Sequence, residues 1–258
     1  REALSEYDVV FLGDVGVGPT QLTTENADML KGLVEQQGSG LIFLPGMQGN
    51  QASFKSTALE ELMPVVPDET NPKGIRQNME SPLVLTERGR DHLLTMLEET
   101  PRANEALWRR LPGFYWFAAA LKPKAGSDVL AVHATARNEN GRYALLVTRQ
   151  AGNGKTLFMG TDSAWRWRRG VEDTYHYRFW GQVARWMAHQ RHLAHGEGIR
   201  FFYSPEAPNR GDRVFLHATV LDALGAPLTQ GSVRVTISDK AGHSEVIELA
   251  AEAGGWGV

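Results

Sequence analysis

The chain has 258 residues and a mass of 28.5 kDa; 42% of the residues are hydrophobic, 22% are charged and none is cysteine. This composition suits a globular protein of one or two domains, and it excludes disulfide scaffolds, thiolate metal sites and a cysteine nucleophile. The net charge of −3 and the pI near 6.3 argue against a dedicated nucleic-acid binder, which needs an excess of Lys and Arg.

No signal peptide opens the chain, and no apolar run approaches the roughly 20 residues that a membrane span needs. The sequence starts at Arg1 rather than at Met, so we interpret it as a fragment.

The first elements predict a βαβ unit. Residues 7–12 form a short apolar run that favours a buried parallel strand. Apolar residues recur at helical spacing over 27–34, and Thr23 or Thr24 can cap that helix. A second strand is predicted at 41–44, which makes the connection a right-handed crossover.

The next stretch is predicted to hold little regular structure. A loop at 46–50 follows the second strand, and a short helix is expected over 57–63. Residues 64–82 are rich in Pro, Asn and charge, which predicts a surface loop with little structure of its own.

An antiparallel section of the sheet is predicted after that loop. Four apolar stretches are separated by turn sequences: 114–121, 129–132, 143–148 and 156–159. The turns Asn140-Gly141 and Asn153-Gly154 are strong hairpin signals. Over 175–192 the apolar residues fall on one helical face, so a helix is predicted to close the first domain.

The last part of the chain alternates with period two, which is typical of a β-sandwich. Alternation is clear over 214–220 and 233–237, and turn residues occupy 222–227 and 239–243. The chain supplies about four such strands, where a sandwich of this kind has roughly seven, so a partial domain is predicted.

Several sequence words together resemble one bacterial family. They are YDVVFLGDV at 7–15, QQGSG at 36–40, LIFLPG at 41–46, ALEELMPV at 58–65, LFMGTDSAWRWRRG at 157–170 and HYRFWGQVARWMA at 176–188. This succession resembles the class I glutamine amidotransferase-like domains of large membrane-anchored proteins, often found beside von Willebrand factor A-type domains. The tail, with Gly211-Asp212 and Pro227-Leu228, is similar to immunoglobulin-like repeats of the same proteins.

The resemblance implies an α/β fold with a flavodoxin-like mixed sheet and helices on both faces, followed by a smaller all-β immunoglobulin-like domain. We place the first domain at 1–195 and the partial second domain at 199–258. The resemblance also implies a membrane-anchored parent protein on the extracytoplasmic side of a bacterial inner membrane. In the family, further βα units precede the first strand, so both ends are expected to be trimmed.

The nucleophile of the amidotransferase reaction is missing from this chain. The family places a Cys on a sharp turn after a strand, beside backbone N–H donors. Met47 occupies that turn here, and a thioether cannot take the place of a thiolate. We therefore predict that glutamine is not hydrolysed.

Ligands of flavodoxin-type sheets gather at the carboxyl ends of the strands. The residues predicted to line such a site are Asp14, Met47, Gln48, Asp162, Ser163 and Arg166. Ser163, His176 and Asp162 could in principle form a hydrolase triad, although Asp162 or Ser163 capping the following turn is the favoured interpretation. Asp14 likewise caps or closes a turn more often than it binds a metal.

No cofactor, metal or nucleic acid is predicted. Gly152-Asn153-Gly154-Lys155-Thr156 ends like a phosphate loop but is interpreted as a hairpin turn. Arg alternates with Trp from 162 onward, and we favour structural stacking and pairing over binding of bases and phosphates.

Three hypotheses stay open. In the favoured one, the chain is a catalytically inactive recognition or scaffolding module whose partners are other envelope proteins or other domains of the same parent. In the alternative, it is an enzyme or small-molecule-binding domain that uses a non-cysteine nucleophile at the strand ends. A third possibility is that an open edge of the partial sandwich pairs with another chain.

Overall fold

The computed structural model describes residues 4, 6–168, 174–192, 198–204, 210–220, 228–239, 242–252 and 255–258. The chain divides into two compact units, unit 1 at Arg1–Ala188 and unit 2 at His189–Val258. The predicted turn at 222–227 lies outside the described residues.

Helices and strands alternate through the first part of the chain and give way to strands alone at the end. The α-helices of the described residues are α1 (Thr24–Glu35), α2 (Ala58–Leu62), α3 (Glu87–Asp91), α4 (Pro101–Trp108) and α5 (Thr174–His192). The strands of unit 1 are β1 (Val9–Leu12), β2 (Gly40–Phe43), β3 (Val65–Pro67), β4 (Ile75–Ser81), β5 (Leu83–Leu85), β6 (Phe114–Phe117), β7 (Ala120–Pro123), β8 (Ser127–Asn138), β9 (Gly141–Ala151) and β10 (Gly154–Met159). Short 3₁₀ helices lie at Asn50–Phe54, Leu93–Thr95 and Ser163–Arg168.

A six-stranded mixed sheet forms the centre of unit 1, in the order β1-β2-β10-β9-β8-β5. Strands β1, β2 and β10 are parallel to one another. Strands β10, β9, β8 and β5 pair antiparallel. The predicted βαβ unit is confirmed, and the predicted antiparallel section is confirmed for the last three of its four apolar stretches.

Helix α1 begins where its sequence supplies a reciprocal cap. The Thr23 hydroxyl accepts a hydrogen bond from the Asn26 amide at 3.1 Å, and the Asn26 side-chain oxygen accepts one from the Thr23 amide at 3.0 Å. Each bond satisfies a backbone N–H that the first helical turn leaves without a partner. The structure thus selects Thr23 between the two predicted caps.

Helices cover both faces of the mixed sheet. Leu41 and Phe43 of β2 pack in one buried cluster with apolar residues of α1 and α2, and Ile42 packs in a second cluster with apolar residues of α5. This alternation follows from the period of two along a strand. A Cβ on Gly40 would lie 2.7 Å from Cβ of Met187, so β2 and α5 approach closely only because Gly40 has no side chain.

A lysine is buried within the sheet beneath α5. Lys155 on β10 is 2% exposed, and its ammonium lies 4.0 Å from the centroid of the Trp186 ring. The negative face of an indole ring attracts a cation, and the attraction is stronger away from water.

Residues 64–82 do not form the predicted unstructured loop. Strand β3 pairs with β7, and β4 pairs with β6, each as a two-stranded antiparallel sheet. The predicted strand at 114–121 is consequently two strands, β6 and β7, neither of which joins the central sheet. The sequence predicts no element over 83–113, where the structure has β5, α3 and α4.

A buried histidine connects the β4–β6 pair to the central sheet. Nε2 of His133, on β8, lies 2.9 Å from the Gln77 side-chain oxygen, and the Gln77 amide nitrogen donates to the Phe114 carbonyl at 2.9 Å. Nδ1 of His133 accepts from the amides of Thr135 and Ala136, at 3.0 and 2.8 Å. Burial lowers the pKa of His133, and two donors on Nδ1 likewise favour the neutral ring.

Unit 2 is an antiparallel sheet of five strands among its described residues. They are β11 (Ile199–Ser204), β12 (Phe215–Val220), β13 (Val233–Ser238), β14 (Ser244–Glu252) and β15 (Gly255–Gly257), in the order β11-β12-β15-β14-β13. Five strands exceed the predicted four. Asp239 and His243 close the turn between β13 and β14 through the amide of Asp239 and the carbonyl of His243, at 2.9 Å.

None of the helices within the described ranges is long and apolar enough to span a bilayer.

Candidate functional site

The carboxyl ends of β1, β2 and β10 lie at one edge of the central sheet, because these three strands are parallel. The predicted site residues follow the three strands in turn: Asp14 after β1, Met47 and Gln48 after β2, and Asp162, Ser163 and Arg166 after β10. Their surroundings show which of these side chains are available to a ligand.

Asp14 holds the turn that follows β2, which we call the β2 turn (residues 46–50). Its carboxylate accepts hydrogen bonds from the amides of Gln48 and Asn50, at 2.7 and 2.9 Å. Its backbone carbonyl also accepts from the Asn50 side chain at 2.8 Å. Both carboxylate oxygens of Asp14 therefore already accept a hydrogen bond from a backbone amide.

The β2 turn fits closely around that carboxylate. A Cβ at Gly46 would lie 2.6 Å from an oxygen of Asp14, so this position has no room for a side chain. Met47 is 46% exposed and presents a thioether. Gln48 is exposed and contributes its backbone amide to Asp14. The turn is built as a tight loop closed by Asp14.

Ser163 begins the 3₁₀ helix that follows β10, and its side chain bonds to the neighbouring residue. Its hydroxyl donates to the Asp162 carboxylate at 3.1 Å, and its amide donates to the Thr161 hydroxyl at 3.3 Å. The void that Ser163 lines has a volume of about 10 Å³, which is the size of one water molecule.

His176 does not make the contacts of a catalytic triad. Its Nδ1 lies 3.0 Å from the Ala164 carbonyl oxygen, which fixes Nδ1 as the donor. Among the described residues, the hydroxyl of Ser163 bonds to Asp162 and not to the His176 ring.

Arg166 is directed into the protein. Its Nε donates to the Gly113 carbonyl at 2.9 Å, a terminal nitrogen lies 3.7 Å from the Glu80 carboxylate, and its guanidinium carbon lies 4.9 Å from the centroid of the Tyr115 ring. The side chain is 15% exposed. Arg166 thus joins the 3₁₀ helix after β10 to β6 and β4.

The predicted site residues form two separate groups. Asp14 bonds to Gln48 in the β2 turn, and Asp162 bonds to Ser163 after β10. In the part of the chain that the structure describes, no hydrogen bond or ion pair joins the two groups.

A larger cavity opens beside this edge, lined by other residues. Its volume is about 260 Å³. Most of the lining is apolar. It comes from the segments that follow β2, α2 and β6 and from β10 itself, and it includes Pro45, Phe54, Met63, Ala118 and Phe158. We call it the Gln51 cavity, after one of the polar residues in its wall.

Hydrogen bonds hold the Gln51 side chain in one orientation, and one of its polar atoms has no hydrogen-bond partner. The residue is 6% exposed, and its side-chain nitrogen donates to the carbonyls of Gly13 and Leu12, at 2.7 and 3.2 Å. These two acceptors fix the orientation of the amide, because a flipped group would place oxygen against oxygen. Its Oε1 is buried and has no hydrogen-bond partner.

The charged residues around the cavity are engaged with one another or with backbone. Lys55 pairs with Glu69 at 2.8 Å, and the Glu60 carboxylate accepts from the Ser56 amide at 2.6 Å. Burial opposes ionisation of Asp68, but hydrogen bonds from Thr70 and Asn71 outweigh it and lower the pKa of the carboxyl.

Gln51 is not among the residues predicted for the site. Sequence periodicity locates the end of β2 and the loop after it, but not the burial of a glutamine one turn later. The available signal is a polar residue placed between a strand end and the apolar residues Phe54 and Ala58.

Neither a scan against protein-family models nor a search of curated proteins finds a match to this chain. Among solved structures, it is similar to a cytoplasmic protein from Salmonella typhimurium, with 18% identity and a TM-score of 0.52 over 72% of this chain and 74% of that chain. A second cytoplasmic protein, from Salmonella typhimurium LT2, matches with 18% identity and a TM-score of 0.50, also over 72% and 74%. At such identities these two likenesses show a shared fold and assign no activity.

Proposed function

We propose that this chain is a catalytically inactive recognition module. Its first unit is a flavodoxin-like domain related to class I glutamine amidotransferases, and its second unit is a partial immunoglobulin-like domain. The mixed sheet with helices on both faces and the separate antiparallel sheet support this proposal, together with the sequence words given above.

The observation that carries the proposal is the β2 turn. Amide transfer by this class of enzyme needs a thiolate that stands clear of the sheet beside free N–H donors. Here the turn carries Met47, and the amides of Gln48 and Asn50 already donate to Asp14. A turn whose donors are occupied does not stabilise an oxyanion.

The surroundings of Ser163 also favour recognition over hydrolysis. An activated serine needs a base on its hydroxyl and space for an acyl group. Among the described residues, the Ser163 hydroxyl donates to Asp162 and bonds to no imidazole base, and the void beside it has room for about one water molecule.

A hydrolysis assay tests this proposal. Purified protein should release no glutamate from glutamine, and it should turn over p-nitrophenyl acetate no faster than its Ser163→Ala variant does. Glutamate release, or ester turnover lost in that variant, would contradict the proposal.

On the basis of the resemblance, we further propose that the parent protein is membrane-anchored and that this module lies on the extracytoplasmic side. Its proposed partners are other envelope proteins or neighbouring domains of the same parent. Protease treatment of spheroplasts that carry the full parent protein tests this placement. Digestion of the module in intact spheroplasts is expected, and protection until lysis would contradict it.

A further inference from the structure

We propose that the Gln51 cavity binds a small, neutral, apolar ligand of one or two fused rings and discriminates against anionic ligands. The inference rests on the recognition function proposed above and names the ligand class of that module. None of the residues predicted for the strand-end site lines this cavity, so it is a separate site.

The cavity wall offers apolar surface that the protein itself leaves uncovered. Most of its lining residues are Pro, Ala, Val, Phe and Met. Phe54, Met63 and Phe158 are buried, whereas Val66 and Ala118 are only partly buried. Protein interiors contain few voids larger than a water molecule, so an opening of about 260 Å³ between apolar residues departs from ordinary packing. An apolar molecule in this opening would remove the exposed wall from water, which is favourable.

The side chain of Gln51 has no hydrogen-bonding group to offer a ligand. Its nitrogen donates to the carbonyls of Leu12 and Gly13, and its oxygen is buried within the protein. The ligand class is therefore set by shape and charge rather than by a hydrogen bond to this residue.

The charges around the cavity disfavour an anionic ligand. The charged residues of the described wall are three carboxylates and one ammonium: Glu60, Asp68, Glu69 and Lys55. The ammonium of Lys55 is already paired with Glu69 at 2.8 Å. An anion would lose hydration beside an apolar wall and would also meet a local excess of negative charge.

The volume sets the size of the ligand. An apolar cavity of roughly 150 Å³ accepts benzene. The Gln51 cavity, at about 260 Å³, accordingly accepts a molecule of one or two fused rings. Benzofuran is a suitable probe because it has two fused rings and no N–H or O–H group. Benzofuran-2-carboxylate is its charged counterpart, since it carries an anionic group on the same rings.

The experiment titrates each probe into isotope-labelled protein and follows the NMR spectrum. Benzofuran should bind with a Kd of about 0.1 to 1 mM, the range expected for so small a ligand. Benzofuran-2-carboxylate should bind at least about tenfold more weakly. Intermolecular NOEs should connect the benzofuran protons with the methyl groups of Met63, Val66 and Ala118, which line the cavity.

Two variants test whether the probe occupies the cavity. Ala118→Leu adds volume at the wall and should weaken benzofuran binding by about tenfold or more. Ala106→Leu makes the same change at an exposed position of α4 and is the matched control, which should leave benzofuran binding unchanged.

Several results would overturn the inference. They are failure of benzofuran to bind, binding of the carboxylate as tightly as benzofuran, and NOEs to residues away from the cavity. All three are measured on the unaltered protein, so they decide the question even where Ala118→Leu does not fold. Unchanged benzofuran affinity in a folded Ala118→Leu protein would overturn it as well.

These outcomes would leave the proposed non-catalytic function standing. Glutamine hydrolysis, by contrast, would remove that function without changing the probe titrations.

Discussion

The role of Asp14 gives the most informative stability prediction. If Asp14 closes the β2 turn, its removal should destabilise unit 1; if it is held ready for a ligand, its removal should change stability little. Asp14→Ala removes the acceptor of two backbone amides, those of Gln48 and Asn50.

The size of the effect follows from those two bonds. A hydrogen bond to a charged group contributes about 1.5 to 3 kcal/mol when it is protected from water. Gln48 is exposed and Asn50 is partly buried, so water replaces part of what is lost. We expect Asp14→Ala to lower the free energy of unfolding by about 1 to 3 kcal/mol.

Urea denaturation followed by tryptophan fluorescence measures this change, because six of the seven tryptophans lie in unit 1. Asp162→Ala is the matched control: Asp162 also follows a parallel strand, is exposed, and bonds to the neighbouring Ser163 hydroxyl. Its effect should stay within about 0.5 kcal/mol. Equal, small effects of the two substitutions would refute the structural role of Asp14.

Three further predictions concern buried contacts of unit 1. Because burial lowers the pKa of His133, the unfolded chain takes up a proton that the folded chain does not as the pH falls below about 6.5. The free energy of unfolding should then decrease by up to about 1.4 kcal/mol for each unit by which the pH falls. Urea denaturation at several pH values should show a weaker pH dependence for His133→Leu, and an unchanged pH dependence would contradict this. Trp186→Leu removes the ring beside the buried ammonium of Lys155 and should lower the free energy of unfolding, measured in urea, by about 1 to 3 kcal/mol. The control Trp165→Leu, whose ring is 55% exposed, should lower it by less. Equal effects of the two substitutions would refute the contribution of the Lys155 contact. In Arg166→Lys, the lysine cannot reach both the Gly113 carbonyl and the Glu80 carboxylate as the guanidinium does. The substitution should lower the melting temperature by several degrees, which corresponds to roughly 1 kcal/mol. An unchanged melting temperature would show that these contacts do not contribute to stability.

The sequence predicts those elements whose burial follows a simple period. Strands β1 and β2 are short apolar runs, and α1 combines an apolar stripe with a cap at Thr23. The hairpin between β9 and β10 follows from its turn residues, of which Gly152 has a φ of 56° that favours glycine. The local signal and the tertiary environment agree for β2, α1 and the hairpin, whereas β1 is an edge strand in which only Leu12 is buried.

Elements with little apolar content could not be predicted in this way. Strand β4 has the sequence IRQNMES and is mostly exposed. It is held by backbone pairing with β6, so its sequence shows no alternation of apolar and polar residues from which a strand could be predicted. Residues 114–121 are apolar or aromatic throughout, so the sequence predicts one strand there. In the structure the chain changes its partner between β6 and β7, where the Ala118 amide donates to the Gly160 carbonyl.

The candidate site divides in the same way. Strand ends fix where Asp14 and Ser163 lie along the sheet edge, and the sequence supplies that much. Whether the hydrogen-bonding groups of a polar side chain are already used depends on residues distant in sequence. The Asp14 carboxylate accepts from the amide of Asn50, and the Gln51 side chain donates to the carbonyl of Gly13. A buried oxygen without a hydrogen-bond partner, such as Oε1 of Gln51, can be found only once those partners are known.

The central claim is that the strand-end residues include no activated nucleophile. Incubation of the pure protein with a fluorophosphonate, followed by intact-mass measurement, tests it most directly, because such reagents modify serines that a neighbouring base activates. We predict an unmodified mass. A single stoichiometric adduct that maps to Ser163 and disappears in Ser163→Ala would contradict the account.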